Sequence, residues 1–209
     1  QLGVRNENTA ITINSILLDG NSTSHKNYSG FFPTAFFSYD LTPNSQLSLN
    51  YSKRINRPRS FQLIPTQRVQ NGFTRFQGNA DLNPSYVNSF ELGYNYTKGS
   101  KLTLNPTLYY QRTNDDINMT IQEKEEFDPV KNQTYKYKLT MPANIGTEDR
   151  YGLDFNYNFN ANKWLRLFGN INLFGYRNQS EFNNVKKDNS GFSTQARLTA
   201  SIKLDKTTN

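Results

Sequence analysis

Residues 151–160 read Tyr-Gly-Leu-Asp-Phe-Asn-Tyr-Asn-Phe-Asn, an unbroken alternation of aromatic or aliphatic side chains with small polar ones. In an extended strand this puts Tyr151, Leu153, Phe155, Tyr157 and Phe159 on one face, and Gly152, Asp154, Asn156, Asn158 and Asn160 on the other. The same period recurs at 47–52, 90–97, 102–111, 165–173 and 196–205. Segments 31–41 and 2–18 also read as strands, the first aromatic on both faces and the second alternating poorly. About eight strands result, each near the ~10 residues that cross a bilayer at a tilt.

One apolar face per strand needs either a shared core or lipid to cover it, and composition favours lipid. Only 34% of the 209 residues are hydrophobic, few for a chain that must fill a core. Yet 15 Phe and 13 Tyr exclude a disordered composition, which is poor in aromatics. A polar lumen that cancels an apolar exterior gives this combination. No run approaches the ~20 apolar residues of a membrane helix, and a barrel is the other way to satisfy every backbone group in lipid. The fold class read from these patterns is therefore all-β, a transmembrane antiparallel up-and-down β-barrel of the outer-membrane type.

Connection lengths support it. Short turns are predicted at 41–45, 98–100 and 160–163, and long polar loops at 19–30, 58–85, 122–147 and 178–192. Short turns on one side and long loops on the other is the arrangement of such barrels, with the long loops extracellular. Trp164, the single Trp, directly follows a short turn, and Tyr39 and Tyr96 lie near two others. These three are candidates for an aromatic girdle at the lipid–water boundary.

Charged residues divide by face. A midplane Arg on the lipid face costs about 2–4 kcal/mol, so Arg54, Arg166 and Arg197 are assigned to the lumen, as are Glu91 and Asp154. The arginines could line a path, anchor a plug or pair with the two carboxylates. In the loop 58–85 and at its start, basic and aromatic residues interleave at Arg57, Arg59, Arg68, Phe73, Arg75 and Phe76. They are candidates to meet an anionic or amphipathic ligand, or a partner protein, with plain solvation as the even alternative.

Catalytic chemistry has little to draw on. With 0 Cys and 1 His, the loop residue His25, neither a thiolate nor a zinc site is expected. Asp115-Asp116 and the run 123–128 gather carboxylates without EF-hand spacing, so no metal and no cofactor are expected. The net charge of +7 leaves nucleic acid, anionic lipid or an anionic ligand open. The basic-aromatic stretch 71–76 lacks a second aromatic element, which argues against nucleic acid.

Three motifs in order carry a family resemblance: Tyr51-Ser52-Lys53-Arg54-Ile55-Asn56-Arg57-Pro58, then Gly78-Asn79-Ala80-Asp81-Leu82-Asn83-Pro84, then Phe90-Glu91-Leu92-Gly93-Tyr94. With Tyr28 to Pro33 before them and Tyr151-Gly152-Leu153-Asp154 after, they resemble the barrel of outer-membrane receptors of the TonB-dependent type. Ala80 and Asn83 stand where that family usually has Pro and Lys. The resemblance implies a barrel of ~22 strands with an N-terminal plug and a TonB-contacting segment. None of these extra parts is visible in the sequence, so residues 1–209 are expected to form an interior slice of a larger barrel; a self-contained barrel of eight strands is the alternative.

The resemblance further implies a ligand-importing receptor in the cell outer membrane, contacting lipid, TonB through a part not present here, and other outer-membrane or surface proteins. A non-transporting barrel that serves as a structural or docking subunit is the second reading. An enzyme is not expected.

Overall fold

Each alternating segment becomes one rung-bearing stretch of a single antiparallel ladder. The computed structural model describes residues 1–17 and 20–203. Its strands are β1 (Leu2–Leu17), β2 (Gly20–Thr42), β3 (Ser45–Asn56), β4 (Gln67–Asn71), β5 (Thr74–Gln77), β6 (Ser85–Lys98), β7 (Leu102–Asp128), β8 (Gln133–Asn160), β9 (Leu165–Phe182) and β10 (Val185–Ile202). One helical turn, α1 (Ser60–Leu63), precedes β4. Eight long strands pair in the order β1-β2-β3-β6-β7-β8-β9-β10, each antiparallel to its neighbour.

Register keeps the two faces apart. Phe37, Leu49, Leu92, Leu108, Leu153 and Leu173 stand opposite one another in a continuous row across six strands. One residue over, Ser48, Gly93, Thr107, Asp154, Asn172 and Gln195 form a polar row. A slip by one residue anywhere would exchange the faces of that strand, so the alternation itself fixes the pairing.

The result is a molecule with its apolar residues outside. Among the described residues only Ile13, Phe32, Leu63, Leu82 and Leu139 are buried hydrophobics. Leu2, Val4, Phe37, Leu49, Phe90, Leu108, Leu198 and Ile202 stay exposed. A continuous apolar belt of this extent is the signature of a surface that meets lipid.

The short turns fall where the sequence placed them, at 43–44, 99–101 and 161–164. At Gly99 the backbone is left-handed, with φ of +50°.

Three of the four long loops are corrected. Segment 122–147 is a hairpin in which β7 and β8, of 27 and 28 residues, pair as far as Asp128 and Gln133. Segment 178–192 closes at Asn183-Asn184, both left-handed, the pair of positive φ values a two-residue hairpin turn requires. Segment 19–30 is strand from Gly20 onward, paired with β1. At ~3.3 Å per residue, β7 could extend ~90 Å, and only about 10 of its residues are needed to cross the bilayer. Above the membrane both strand faces meet water, so the apolar alternation stops while the ladder continues.

The fourth loop, 57–84, remains a loop in outline and holds α1, β4 and β5. Their two short strands raise the count from eight to ten. Above Gly146 the edge of β8 is no longer paired with β9. The β5 strand takes that edge in parallel, Thr74 to Phe76 opposite Lys138 to Thr140. An edge that would otherwise stand open is thereby covered.

Candidate functional site

The polar face is laced by cross-strand hydrogen bonds. Asn50 Nδ2 and Ser89 Oγ donate to the Glu91 carboxylate at 3.3 and 3.2 Å, and Gln111 Nε2 donates to Ser89 Oγ at 3.4 Å. Asn170 Nδ2 donates to Asp154 and, at 3.1 Å, to Asn156 Oδ1. Arg166 Nε donates to Asn158 Oδ1 at 2.8 Å, its guanidinium 5.2 Å from the Phe168 ring centre. Among the described residues no ion pair joins Arg54, Arg166 or Arg197 to Glu91 or Asp154. Trp164 lies in the turn before β9 and is half exposed, Tyr39 faces Leu47, and Tyr96 faces Leu104.

Above this face, loop 57–84 is pinned at two places. The lower anchor is Gly78 to Pro84. A β-carbon on Gly78 would overlap the carbonyl oxygens of Ile64 and Gln62, so only glycine lets the chain pass that close. Asn79 Oδ1 accepts from the Asp81 N–H at 2.9 Å and its Nδ2 reaches the Pro142 carbonyl at 3.2 Å. Leu82 is 1% exposed and packs with Leu63 and Ile13, the small core of the upper end. Lys26 Nζ donates to the Leu82 carbonyl, and its burial there lowers the ammonium pKa. The Asn83 main chain pairs with the side chain of Asn144.

The upper anchor is Arg75. Its guanidinium lies 4.1 Å from the Tyr137 ring centre, pairs with Glu126 at 2.5 Å and donates to the Tyr135 hydroxyl at 2.6 Å. Tyr135 in turn donates to Glu126 at 2.7 Å. Burial opposes the Arg75 charge, but Glu126 and Tyr135 outweigh it and raise its pKa. The Tyr135 hydrogen bond, then Arg75, holds the Glu126 carboxyl below the usual range.

The six loop candidates do not converge on one point. Arg57 pairs with Glu7 and lies 5.9 Å from the Tyr28 ring centre. Arg59 precedes α1, its N–H donating to Gln62 Oε1 at 2.8 Å. Phe76 packs on Phe61 with ring centres 6.0 Å apart. Arg68 sits in exposed β4, opposite Phe76. Phe73, 77% exposed, is the hairpin tip. Phe73 and Arg75 do share a cleft of about 420 Å³ with Asp128, Lys131, Tyr135 and Lys136.

Glu126, Tyr135, Tyr137, Asn144 and Lys26 were not singled out from sequence. Glu126 belongs to the acidic run, which the structure spreads along β7 instead of gathering. Glu125 pairs with Lys136, and Asp116 accepts from Asn118. Among the described residues no group of three or more His, Cys, Asp or Glu could hold a metal ion. The Tyr-x-Tyr step at 135–137 was the available signal that a strand ran there.

A profile of the outer membrane protein beta-barrel family matches residues 1–209. The chain belongs to that family. Its place is the cell outer membrane. No curated protein matches this family member by sequence. Solved structures match it in fold. The siderophore receptor PirA from Pseudomonas aeruginosa aligns with a TM-score of 0.58 at 11% identity, over 98% of this chain and 43% of the receptor. The hemophore receptor HasR of Serratia marcescens, in complex with its hemophore HasA and heme, gives 0.58 at 12%, over 97% and 42%. The ferric enterobactin receptor PfeA of Pseudomonas aeruginosa gives 0.57 at 13%, over 97% and 38%. The family barrel described here thus spans less than half the length of each of these receptors.

Proposed function

We propose that this outer-membrane barrel captures a ligand at its extracellular end and supports TonB-driven import as part of a larger receptor. The observation that carries the reading is the docked hairpin β4–β5. It is bolted to β8 by ladder pairing and by Arg75, and so sets Phe73 beside Lys131 of the β7–β8 turn and Lys136 of β8 around a preformed cleft. Cations beside aromatic rings suit an anionic, partly aromatic ligand. The siderophore and heme receptors that share the fold supply the candidate panel.

The test compares a deletion strain with its parent for uptake of a panel of ferric siderophores and heme, with and without an energised inner membrane. Energy-dependent loss of one member in the deletion strain, restored by the wild-type gene, supports import. Unchanged uptake of every member sinks it.

A docking subunit is the second reading, favoured by two exposed apolar tips: Phe73 at 77% and Val130 at 92%. A photo-crosslinker at position 73 that captures one envelope protein, with uptake unchanged in the deletion strain, would establish this reading instead.

A further inference from the structure

Above the membrane the sheet divides. The ladder between β8 and β9 ends at Gly146 and Ser180, and beyond it the β7–β8 hairpin and the tip of the β9–β10 hairpin separate. A cleft of about 390 Å³ lies between them. One wall is the β9–β10 tip, with Asn178, Phe182 and Asn189; the other includes Asn118 and Ile121 of β7. On β9 the outward apolar series Leu167, Ile171, Leu173 gives way to Arg177, so the cleft stands clear of the lipid belt.

The two faces of the β9–β10 tip differ in how their polar groups are satisfied. Outward, they answer one another: Arg177 Nε and Gln179 Nε2 donate to Asp188 at 3.0 and 3.1 Å, and Lys186 pairs with Glu181 at 3.7 Å. Toward the cleft, the cross-strand pairs are Asn178 with Asn189, Ser180 with Lys187 and Phe182 with Val185. Among the described residues none of the four polar members makes a side-chain hydrogen bond or an ion pair, and Asn178 Oδ1 is buried as well. A buried carbonyl without a donor is the exception that asks for one. The four side chains form a patch about 5 Å across the strands and about 7 Å along them, bordered by the Phe182 ring. Amides and a hydroxyl offer donors and acceptors together, Lys187 is the one cation, and no carboxylate is among the described lining residues.

We propose that the cleft between the β7–β8 and β9–β10 hairpins binds a neutral oligosaccharide. Sugar hydroxyls donate and accept at once, which is what side-chain amides answer, and one of them donates to Asn178 Oδ1. A sugar ring also carries a face of C–H groups. Phe182 covers that face together with Val185 and Ile121, which are otherwise 59% and 61% exposed to water. The molecule thus has two extracellular clefts of different chemistry, a cationic one at Arg75 and Lys136 and an amide-lined one here.

The experiment uses the full-length protein purified from outer membranes in an amine-oxide detergent, which carries no sugar. Saturation-transfer NMR titrations are run with α- and β-linked hexaoses of glucose, mannose, xylose and galactose. The expected result is binding of at least one hexaose that weakens about tenfold in Asn178→Ala/Asn189→Ala and about threefold in Phe182→Ala. Glu181→Gln/Lys186→Gln on the outward face and Lys136→Met in the cationic cleft should bind as wild type. Affinity should also be unchanged at about 0.5 M salt, where exposed charges are screened. Heat-modifiable migration checks that each variant is folded, and Phe182→Ala serves alone if the double variant is not. No binding of any hexaose, or equal binding by folded cleft variants, overturns the proposal. Binding lost in salt would overturn it in favour of an anion at Lys187, and binding lost in Lys136→Met would overturn it in favour of the cationic cleft.

Discussion

Asn144 and the main chain of Asn83 hold each other at both ends of one amide. Asn144 Oδ1 accepts from the Asn83 N–H at 2.7 Å, and Asn144 Nδ2 donates to the Asn83 carbonyl at 2.8 Å. The same Nδ2 reaches the carbonyl of Asp115 at 2.8 Å, where φ is +55° and the β7–β8 register shifts. One side chain therefore fastens the loop that crosses the barrel mouth to the point where the tall hairpin leaves the membrane sheet.

Asn144→Ala should release that fastening. It frees one main-chain donor and two carbonyl acceptors that water can reach, at a cost of about 0.5–1.5 kcal/mol per hydrogen bond to loop docking. Hydrogen exchange should rise across 78–84 and stay unchanged across 102–112. Unchanged protection at 78–84 would show that Leu82 alone holds the loop.

Leu82→Ala should be the more damaging of two loop variants. Leu82 is nearly fully buried against Leu63 and Ile13, and such truncations cost about 2–5 kcal/mol. Phe73→Ala removes an exposed tip and should leave protease resistance at its wild-type level. Equal sensitivity of the two to limited proteolysis would contradict the packing described for this loop.

Acid should loosen the upper anchor. Glu126 titrates below the ordinary Glu range because Tyr135 and Arg75 favour its charged form. Its contribution is thus complete above the unfolded value of about 4.3 and disappears as pH falls through the lower folded value. Exchange at 74–77, corrected for intrinsic rate, should rise on acidification below that range. Glu126→Gln should raise it already at neutral pH. A pH-independent difference between the two proteins would rule out this linkage.

Lipid-facing and lumen-facing substitutions should part company. Leu153→Arg and Leu198→Arg put a charge into the apolar belt, at about 2–4 kcal/mol near the midplane, and should block assembly. Asn156→Arg and Thr199→Arg lie on the polar face and should assemble. Heat-modifiable migration distinguishes the outcomes, and equal tolerance of all four would remove the assignment of faces.

The membrane-crossing part was legible because lipid enforces a rule on it. Every second residue from Tyr151 to Phe159 must be apolar, so the strand announces itself, and its partners follow from the same period. Beyond the rim that pressure vanishes. Gln133 to Lys138 is polar or amphipathic on both faces, yet it pairs as firmly as the strands below, through backbone groups that carry no residue signature. The turn at Asn183-Asn184 hid for a similar reason: two left-handed asparagines do the work usually marked by glycine. The stretch from Gly78 to Pro84 stood out only by resemblance, and what it does depends on Ile64, Pro142 and Asn144, partners distant in sequence. Arg57 and Arg75 were noticed as cations, but their engagement with Glu7 and Glu126 required the register of β1 and β7.

Among the described residues only Ile13, Phe32, Leu63, Leu82 and Leu139 are buried hydrophobics, too few to hold a sheet of this size together, so the acyl chains supply the solvent that this fold is missing. Thickness of the surrounding membrane then becomes a variable of folding in its own right. A bilayer thinner than the belt that runs from Leu2 and Val4 to Ile202 leaves its rim wet, and a thicker one pulls Lys53 and Asn6 toward hydrocarbon. Either change alters stability as a substitution would, without touching the sequence.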